Sequence, residues 1–267
     1  MLKVIVLSAS KYSLFTISIV EELIRNDIHV QAVVVQNLFS LRRLIREFKK
    51  NPLALLKKIF KKLIFRTYSE SNKLSMAKVF KEKSYVSRSL DDIEKNYGIQ
   101  ILYCDNFHED KVIQDVKSQD CDLMVFTGGG IIKEKLLSIP KIGILNCHMG
   151  ILPTYRGMDC HTWSILNNDF NNIGLTTHFM DEGIDTGNIL KIKKIRLDDI
   201  DRYEDIEDSL EYHMPDFTMK TILEINKSIH KETLQNQDEG KQYFSIKDQK
   251  LIKKAKQKFT NFKVVGR

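Results

Sequence analysis

A carboxamide, an imidazole and a carboxylate follow one another in the second half of the chain. Asn146 and His148 lie at the end of the apolar run that begins at Gly143, and Asp185 follows in the loop Asp181–Gly187. Acyl transfer to an amine needs a hydrogen-bond donor for the developing oxyanion and a base for the amine proton. Asn146 suits the first role and His148 suits the second. We expect Asp185 to orient the imidazole and to raise its pKa toward or above neutrality.

Apolar runs of strand length alternate with helical patterns, which is typical of a parallel, doubly wound α/β sheet. Side chains alternate along a strand, so Asn146 and His148 should point to one side and Cys147 into the core. The predicted strands are Lys3–Ser8, Val30–Val35, Ile99–Cys104, Asp122–Thr127 and Gly143–Cys147, and the predicted helices are Leu14–Arg25, Glu109–Ser118, Lys133–Leu137 and a segment from after Gly157 to about Asn167.

The glycine-rich run Thr127–Gly130 is predicted to leave a strand that neighbours the strand of Asn146 and His148. Ligands of parallel sheets bind outside the carboxyl ends of the strands. We therefore expect the glycine-rich run and the two polar side chains to line one crevice.

Two antiparallel strands, Leu175–Met180 and Asn188–Ile195, are predicted on either side of the loop that carries Asp185. His178 lies on the first of them and either lines the crevice or serves as a structural histidine. An amphipathic helix is expected from about Tyr203 to Ile229.

The predicted organisation is a catalytic core over residues 1–200, with a basic helical insertion at 38–85, and a helical C-terminal appendage over 201–267. The tail from Lys231 to Arg267 is lysine-rich and contains the pair Tyr243-Phe244, and no individual helix or strand is assigned within it. We expect it to pack on the main domain as a short appendage, and its contribution to a homodimer stays open.

Positive charge is concentrated between Leu41 and Arg66, where ten Lys and Arg residues accompany a single acidic residue, Glu47. Apolar residues at helical spacing on both sides of Asn51-Pro52 predict two short basic amphipathic helices. Such helices either pack an apolar stripe on the sheet or contact an anionic membrane surface or a phosphate-bearing substrate. Because the charge is local, the net charge of +7 does not indicate a nucleic-acid-binding protein.

The turn after the first predicted strand reads SASKYS at residues 8–13 and lacks the glycines of a dinucleotide-binding fingerprint. Ser8, Ser10 and Lys11 at the following helix start could hold a phosphate or a polar sugar. A plain serine-rich loop explains the same residues.

A second candidate substrate site is the turn that contains Tyr155, Arg156 and Gly157. An arginine on such a turn could bind a phosphate or a carboxylate through two parallel hydrogen bonds. We therefore include this turn among the predicted substrate contacts, together with His178.

Length and composition indicate one main domain, alone or with a small appendage, because a chain of 267 residues with 42% hydrophobic content can bury a full core. The four cysteines lack CxxC spacing, so reduced thiols, no metal and a cytoplasmic location are expected. The opening apolar run is too short for a secretory signal, and no uncharged run is long enough to span a bilayer.

The run GILNCHMGILPTYRG at residues 143–157, followed by MDEGIDTGNIL at 180–190, resembles the folate-dependent formyltransferase family. The similarity extends from about Asp122 to Leu190 and implies a Rossmann-like fold, 10-formyltetrahydrofolate as the formyl donor, and a catalytic set of Asn146, His148 and Asp185. The same resemblance implies that the pteridine lies against two backbone segments, which contain Gly128, Gly129, Gly130, Ile131, Ile132, Asp181, Glu182 and Gly183.

Departures from the family pattern reduce the number of acceptor classes that fit this sequence. The usual His-Pro-Ser reads His148-Met149-Gly150, which keeps the catalytic positions and alters the turn after them. The first turn lacks the phosphate-binding glycines of the purine-pathway enzymes, and the residues after about 200 look too few and too helical for the barrel of methionyl-tRNA enzymes. Formyltetrahydrofolate hydrolases carry a regulatory domain before this core, whereas this chain begins at the first strand.

The resemblance therefore favours a sugar N-formyltransferase that acts on a nucleotide-linked 3-amino or 4-amino deoxysugar in the biosynthesis of a surface polysaccharide such as lipopolysaccharide. A hydroxyornithine-type amine is the nearest rival as acceptor. A non-catalytic membrane-surface module built on the same core is the rival from another class, and the intact set of Asn146, His148 and Asp185 argues against it.

Overall fold

A seven-stranded sheet forms the centre of the molecule, of which the computed structural model describes residues 1–36 and 75–265. The basic segment 41–66 and most of the predicted insertion 38–85 lie outside the described residues. The strands are β1 Lys3–Ser8, β2 His29–Gln36, β3 Gln100–Cys104, β4 Leu123–Phe126, β5 Gly143–His148, β6 Tyr155–Gly157, β7 Gly174–Phe179, β8 Ile189–Lys194 and β9 Lys241–Tyr243. The helices are α1 Leu14–Arg25, α2 Met76–Glu82, α3 Leu90–Tyr97, α4 Asp110–Lys117, α5 Glu134–Leu137, α6 Cys160–Leu166, α7 Asp205–Asn226 and α8 Gln249–Val265.

The strand order of the sheet is β3-β2-β1-β4-β5-β7-β8. The first five strands in this order pair in parallel, and β7 and β8 are antiparallel. The prediction of a mostly parallel, doubly wound sheet is thereby confirmed. Along β1, Val4 and Val6 pack into one apolar cluster, whereas Ile5 and Leu7 pack into another. Both faces of the strand are covered, which is why its sequence is continuously apolar.

Helices cover both faces of this sheet. One apolar cluster takes residues from α1, α2, α3 and α7, and the second takes residues from α4 and α5. Helix α7 also contacts β7, where the hydroxyls of Thr177 and Thr221 lie 2.9 Å apart. The boundary at residue 200 stays a prediction, since α7 beyond it packs on the core. None of the helices in the described ranges is long and apolar enough to cross a membrane.

The C-terminal tail contains a helix, α8, whose bounds the sequence did not give, and a strand, β9, that the predicted helical appendage did not include. Helix α8 packs on α6 and α7 through a third apolar cluster, to which it contributes Ala255 and Phe259. Strand β9 pairs in parallel with β6 and forms a separate two-stranded sheet. A strand of three residues is too short to show periodicity. The tail is thus attached to the half of the molecule that carries the catalytic candidates.

A buried carboxylate on α1 holds the segment that leads into α3. Glu21 is 1% exposed, and it accepts hydrogen bonds from the Ser87 amide at 3.1 Å and the Tyr97 hydroxyl at 3.0 Å. We expect Glu21→Ala to lower the free energy of unfolding by about 1–3 kcal/mol, because the change leaves both donors without their acceptor. Urea unfolding measures the effect. The matched control is Glu94→Ala on an exposed position, and an equal loss in both variants would contradict the role of Glu21.

Candidate active site

Strand β5 carries Asn146 and His148 to the carboxyl edge of the sheet, between β4 and β7. Cys147 packs into the third apolar cluster, as predicted, so its two neighbours point to the opposite side. The glycine-rich run 127–130 leaves β4 at the same edge. The two strand ends therefore lie side by side at one edge of the sheet, and a shared ligand crevice there stays a prediction.

The Asp185 carboxylate lies between two imidazoles. Its Oδ2 atom is 3.5 Å from Nδ1 of His148, and its Oδ1 atom is 3.4 Å from Nε2 of His178. The Gly157 amide donates a hydrogen bond to Oδ2 at 2.9 Å. Asp185 has a φ of 54°, in the left-handed region that non-glycine residues adopt only sparsely. Contacts from three segments of the chain therefore fix this carboxylate.

His178 belongs to this network. It is 1% exposed, and its Nδ1 atom lies 2.8 Å from the Phe179 carbonyl oxygen. Because a carbonyl can only accept, Nδ1 carries the proton, and Nε2 accepts from Nδ2 of Asn146 at 3.1 Å. Protein groups thus occupy both ring nitrogens, so the structure corrects the expectation that His178 contacts substrate. It links Asn146 to Asp185 instead.

Burial reverses the pKa shift expected for His148. Its Nε2 atom lies 2.8 Å from the Tyr155 carbonyl oxygen, so Nε2 carries the proton and the lone pair of Nδ1 faces Asp185. Burial lowers the pKa of the imidazole and outweighs the Asp185 charge, which raises it. The prediction of a raised pKa is therefore wrong. His148 is held in the neutral form, which can accept a proton.

The pKa of the Asp185 carboxyl moves in the direction that keeps it charged. Burial alone would raise this pKa, but contact with His178, the attraction of His148 in its protonated form and the Gly157 amide lower it to about 2. Asp185 is therefore ionised at every pH at which the protein would be assayed. Its charge can stabilise a proton that arrives on His148.

The first predicted folate segment, Gly128–Ile132, is a loop whose backbone contacts two side chains, those of Gln36 and His108. The Gly130 amide donates to Oε1 of Gln36 at 2.9 Å, and Nε2 of His108 lies 2.9 Å from the Ile131 carbonyl oxygen. The side chain of Ile131 is 68% exposed. This loop presents backbone and an apolar side chain to solvent, and folate contact here stays a prediction.

The second predicted folate segment is the exposed loop that begins at Asp181. Its carboxylate accepts hydrogen bonds from the Gly183 amide at 3.1 Å and from the Thr186 hydroxyl at 2.6 Å. Glu182 is exposed between them. The loop is therefore folded by its own side chains, and its contact with folate stays a prediction as well.

In the turn between β1 and α1, Ser8 has a structural role. This residue is fully buried, and its hydroxyl lies 2.7 Å from that of Thr16 and donates to the Ser10 carbonyl oxygen at 3.0 Å. The structure corrects its assignment as a substrate contact, because the hydroxyl joins β1 to α1. Lys11 forms an ion pair of 2.6 Å with Asp91 on the surface. Binding of substrate by Ser10 and Lys11 stays a prediction.

Tyr155 and Arg156 are engaged by other parts of the protein. Tyr155 is 2% exposed, and its hydroxyl donates to Asp169 at 2.9 Å. The Arg156 guanidinium contacts the side chain of Gln237 and donates to the Gly240 carbonyl oxygen at 3.2 Å. The burial of Tyr155 corrects the prediction that its side chain contacts substrate. Substrate contact by Arg156, which is partly exposed, stays a prediction. Gly157, the third residue of the turn, donates its amide hydrogen to the Asp185 carboxylate.

Two buried residues at the site carried no signal in the sequence. The thiol of Cys160 lies 3.5 Å from Nε2 of His148 and 3.4 Å from the Tyr155 carbonyl oxygen. Burial raises the pKa of this thiol to about 12, so it stays protonated. Gln235, in the tail, donates to the Asp185 carbonyl oxygen at 3.1 Å. Neither residue belongs to a motif, and only the folded chain brings them to the site.

Sequence comparison relates the chain to enzymes that handle formyl groups. A family model described as formyl transferase matches residues 2–222. Methionyl-tRNA formyltransferase of Halothermothrix orenii is 30% identical over 155 residues, which cover 58% of this chain and 48% of that protein. The same enzyme of Clostridium tetani is 30% identical over 167 residues, or 61% and 53% of the two chains. The chain thus spans about half the length of the curated relatives it matches.

Solved structures of low sequence identity share the fold. A sugar N-formyltransferase from Shewanella sp FDAARGOS_354 superposes with a TM-score of 0.57 at 16% identity, covering 91% of this chain and 77% of that chain. Glycinamide ribonucleotide transformylase 1 from Symbiobacterium toebii gives 0.56 at 15% identity, covering 85% and 89%. A sugar 3N-formyl transferase solved in the presence of dTDP and 5-N-formyl-THF gives 0.54 at 17% identity, covering 91% and 70%. Since the family model matches residues 2–222 of 267, the chain belongs to the formyl transferase family.

Proposed function

We propose that this chain transfers the formyl group of 10-formyltetrahydrofolate to the amine of a nucleotide-linked amino deoxysugar. The observation that carries the proposal is the contact network from Asn146 through His178 and Asp185 to His148. It unites an amide donor, an ionised carboxylate and a neutral imidazole at one edge of the sheet. These are the groups that formyl transfer to an amine requires.

In the proposed reaction the acceptor nitrogen forms a bond to the formyl carbon, and the carbonyl electrons move to oxygen. Asn146 donates one Nδ2 hydrogen to His178 and has a second for this oxyanion. The attacking nitrogen loses a proton to Nδ1 of His148, where the Asp185 carboxylate stabilises the imidazolium. The carbonyl then reforms as the bond to N10 breaks, and N10 takes up a proton. The products are a formamide and tetrahydrofolate.

The acceptor class is supported by the shared fold with two sugar N-formyltransferases, one of them solved with dTDP and a formylated folate. An acceptor of this kind would place the enzyme in the cytoplasm, in the biosynthesis of a surface polysaccharide such as lipopolysaccharide. The curated relatives favour a second candidate, the amine of methionyl-tRNA. The two acceptors differ in size and charge, so one assay separates them.

The assay incubates the purified chain with 10-formyltetrahydrofolate and a panel of amines, and product masses are read for the gain of one carbonyl group. The panel contains nucleotide-linked 3-amino and 4-amino deoxysugars, hydroxyornithine, glycinamide ribonucleotide and methionyl-tRNA. A gain on an amino sugar is the expected result. A gain confined to methionyl-tRNA would replace the proposal with the second candidate, and folate turnover without any formylated amine would make the chain a hydrolase.

The pH profile should report the buried His148. The neutral ring is the active form, and burial lowers its pKa below the ordinary value of 6.5. We therefore expect kcat/KM to be level at neutral pH and to fall as the pH drops through a midpoint below 6.5. Asp185 adds nothing to this limb, because its pKa is about 2. A limb centred on the alkaline side of neutrality would contradict the assignment of His148 as a base held neutral by burial.

A further inference from the structure

A segment of the tail contacts both the loop that carries Asp185 and the strand β6. Residues 233–246, which we name the strap, lie beyond the family match that ends at residue 222. At one end, Thr233 and Ile189 of β8 exchange backbone hydrogen bonds of 2.9 and 2.8 Å. At the other end, the Ile246 amide donates to Asp159, beside α6, at 2.7 Å. The strap therefore connects the sheet edge to the helix that follows β6.

The first half of the strap holds the loop that carries Asp185. Gln235 is 6% exposed, and its Nε2 atom donates to the carbonyl oxygens of Asp185 at 3.1 Å and Gly187 at 2.6 Å. The side chain of Gln237 donates to the carbonyl oxygen of the residue between them, Thr186, at 3.3 Å. Three successive backbone carbonyls are thus bound at the point where the chain adopts the left-handed conformation of Asp185.

The second half of the strap holds β6. Gly157 has a φ of 96°, and a Cβ atom there would lie 2.1 Å from the Tyr243 carbonyl oxygen, so β6 and β9 approach as only glycine allows. Strand β6 supplies the Gly157 amide to Asp185 and the Tyr155 carbonyl to His148. The strap therefore contacts both backbone segments that orient the catalytic carboxylate and imidazole.

We infer that the strap is part of the active site and that Gln235 is the positioning residue for Asp185, an inference that rests on the proposed function. Gln235 touches the backbone of the loop rather than the reacting groups. Its two donor hydrogens hold a sparsely populated conformation in which the carboxylate faces His148 and His178. Without them the loop can relax and carry the carboxylate away from both rings.

The test compares Gln235→Leu, which keeps the side-chain bulk and removes both donors, with Gln257→Leu at an exposed position of α8, outside the strap. We expect kcat to fall about 10- to 100-fold in Gln235→Leu, as displaced catalytic groups do, and to stay unchanged in the control. The acid limb of kcat/KM should also move to lower pH, because the Asp185 charge that raises the pKa of His148 is withdrawn. Partial unfolding would scale the activity without moving the limb.

A second variant, Gln235→Glu, uses pH to restore a donor. An ionised carboxylate has no donor for the two carbonyls, whereas the protonated acid has one O–H group. We therefore expect its activity relative to the wild type to rise as the pH falls. A relative activity that is constant with pH, or a folded Gln235→Leu with the wild-type kcat and acid limb, would overturn the inference.

Hydrogen–deuterium exchange of peptides that cover residues 181–187 tests the strap without substrate. Faster exchange is expected in Gln235→Leu than in the wild type and in Gln257→Leu, because the loop loses the hydrogen bonds that hold its backbone. Unchanged exchange overturns the inference whether or not an acceptor is turned over. A wild-type chain that exchanges as expected but formylates no amine overturns the proposed function alone.

Discussion

Replacement of His148 by glutamine is expected to lower kcat by about 10²–10⁴-fold, the usual contribution of a general base. The glutamine amide can still donate to the Tyr155 carbonyl oxygen that Nε2 of His148 now contacts at 2.8 Å, so the buried acceptor keeps a partner. The group that takes the amine proton is lost, because an amide is not basic. Single-turnover formylation with saturating amine measures the chemical step, and circular dichroism verifies that the variant is folded.

The matched control for this change is His29→Gln, at an exposed position at the amino end of β2 and so at the opposite edge of the sheet. It should keep wild-type turnover. A folded His148→Gln variant that retains kcat within a few-fold would remove His148 from the mechanism. Asp185→Asn provides a further check: because Asp185 acts through the same imidazole, the double variant should be little worse than His148→Gln alone.

The sheet could be predicted from the sequence because its strands are buried on both faces and therefore read as continuous apolar runs. The run at Lys3–Ser8 is one strand of the structure, residue for residue, and the periodic segment Leu14–Arg25 is one helix. Strand β9 gave no such signal, since three residues show no periodicity and its pairing partner lies far away in the sequence. Its position depends on the backbone of β6, which side-chain patterns do not encode.

At the candidate site, the sequence predicted that Asn146, His148 and Asp185 belong together, and it did not predict their environment. Asn146 and His148 share a face because strands alternate, a rule that needs only local sequence. Two opposing effects set the pKa of His148: burial lowers it and the charge of Asp185 raises it. The effect of burial is the larger one in the folded chain, where residues of α6 and β6 contact the ring. Gln235 is positioned by the tail, and its neighbours in the sequence contain no catalytic pattern. The sequence therefore predicted which polar residues share a strand face, but it did not predict the contacts that distant segments make with them.

Replacement of Asn146 by alanine is expected to lower kcat by about 10²–10³-fold, the usual effect of removing an oxyanion donor. The donor acts on charge that develops only in the transition state, so the KM of the acceptor should change little. The change also removes the Nδ2 donor that His178 accepts at 3.1 Å. Nε2 of His178, which lies 3.4 Å from Asp185, would then lack its donor, and this adds a positioning defect to the loss of the oxyanion contact.

Asn171→Ala, at an exposed position before β7, is the matched control and should keep wild-type turnover. A steady-state comparison with His178→Gln separates the two causes of the Asn146→Ala defect. His178→Gln keeps a side-chain acceptor for Asn146 and leaves the oxyanion donor in place, so it should impair turnover less than Asn146→Ala. If kcat fell equally in Asn146→Ala and His178→Gln, Asn146 would serve only to orient His178 and Asp185. We expect kcat to fall further in Asn146→Ala than in His178→Gln, with the KM of the acceptor unchanged. Both variants disturb the contacts among Asn146, His178 and Asp185, but only Asn146→Ala also removes the donor to the oxyanion.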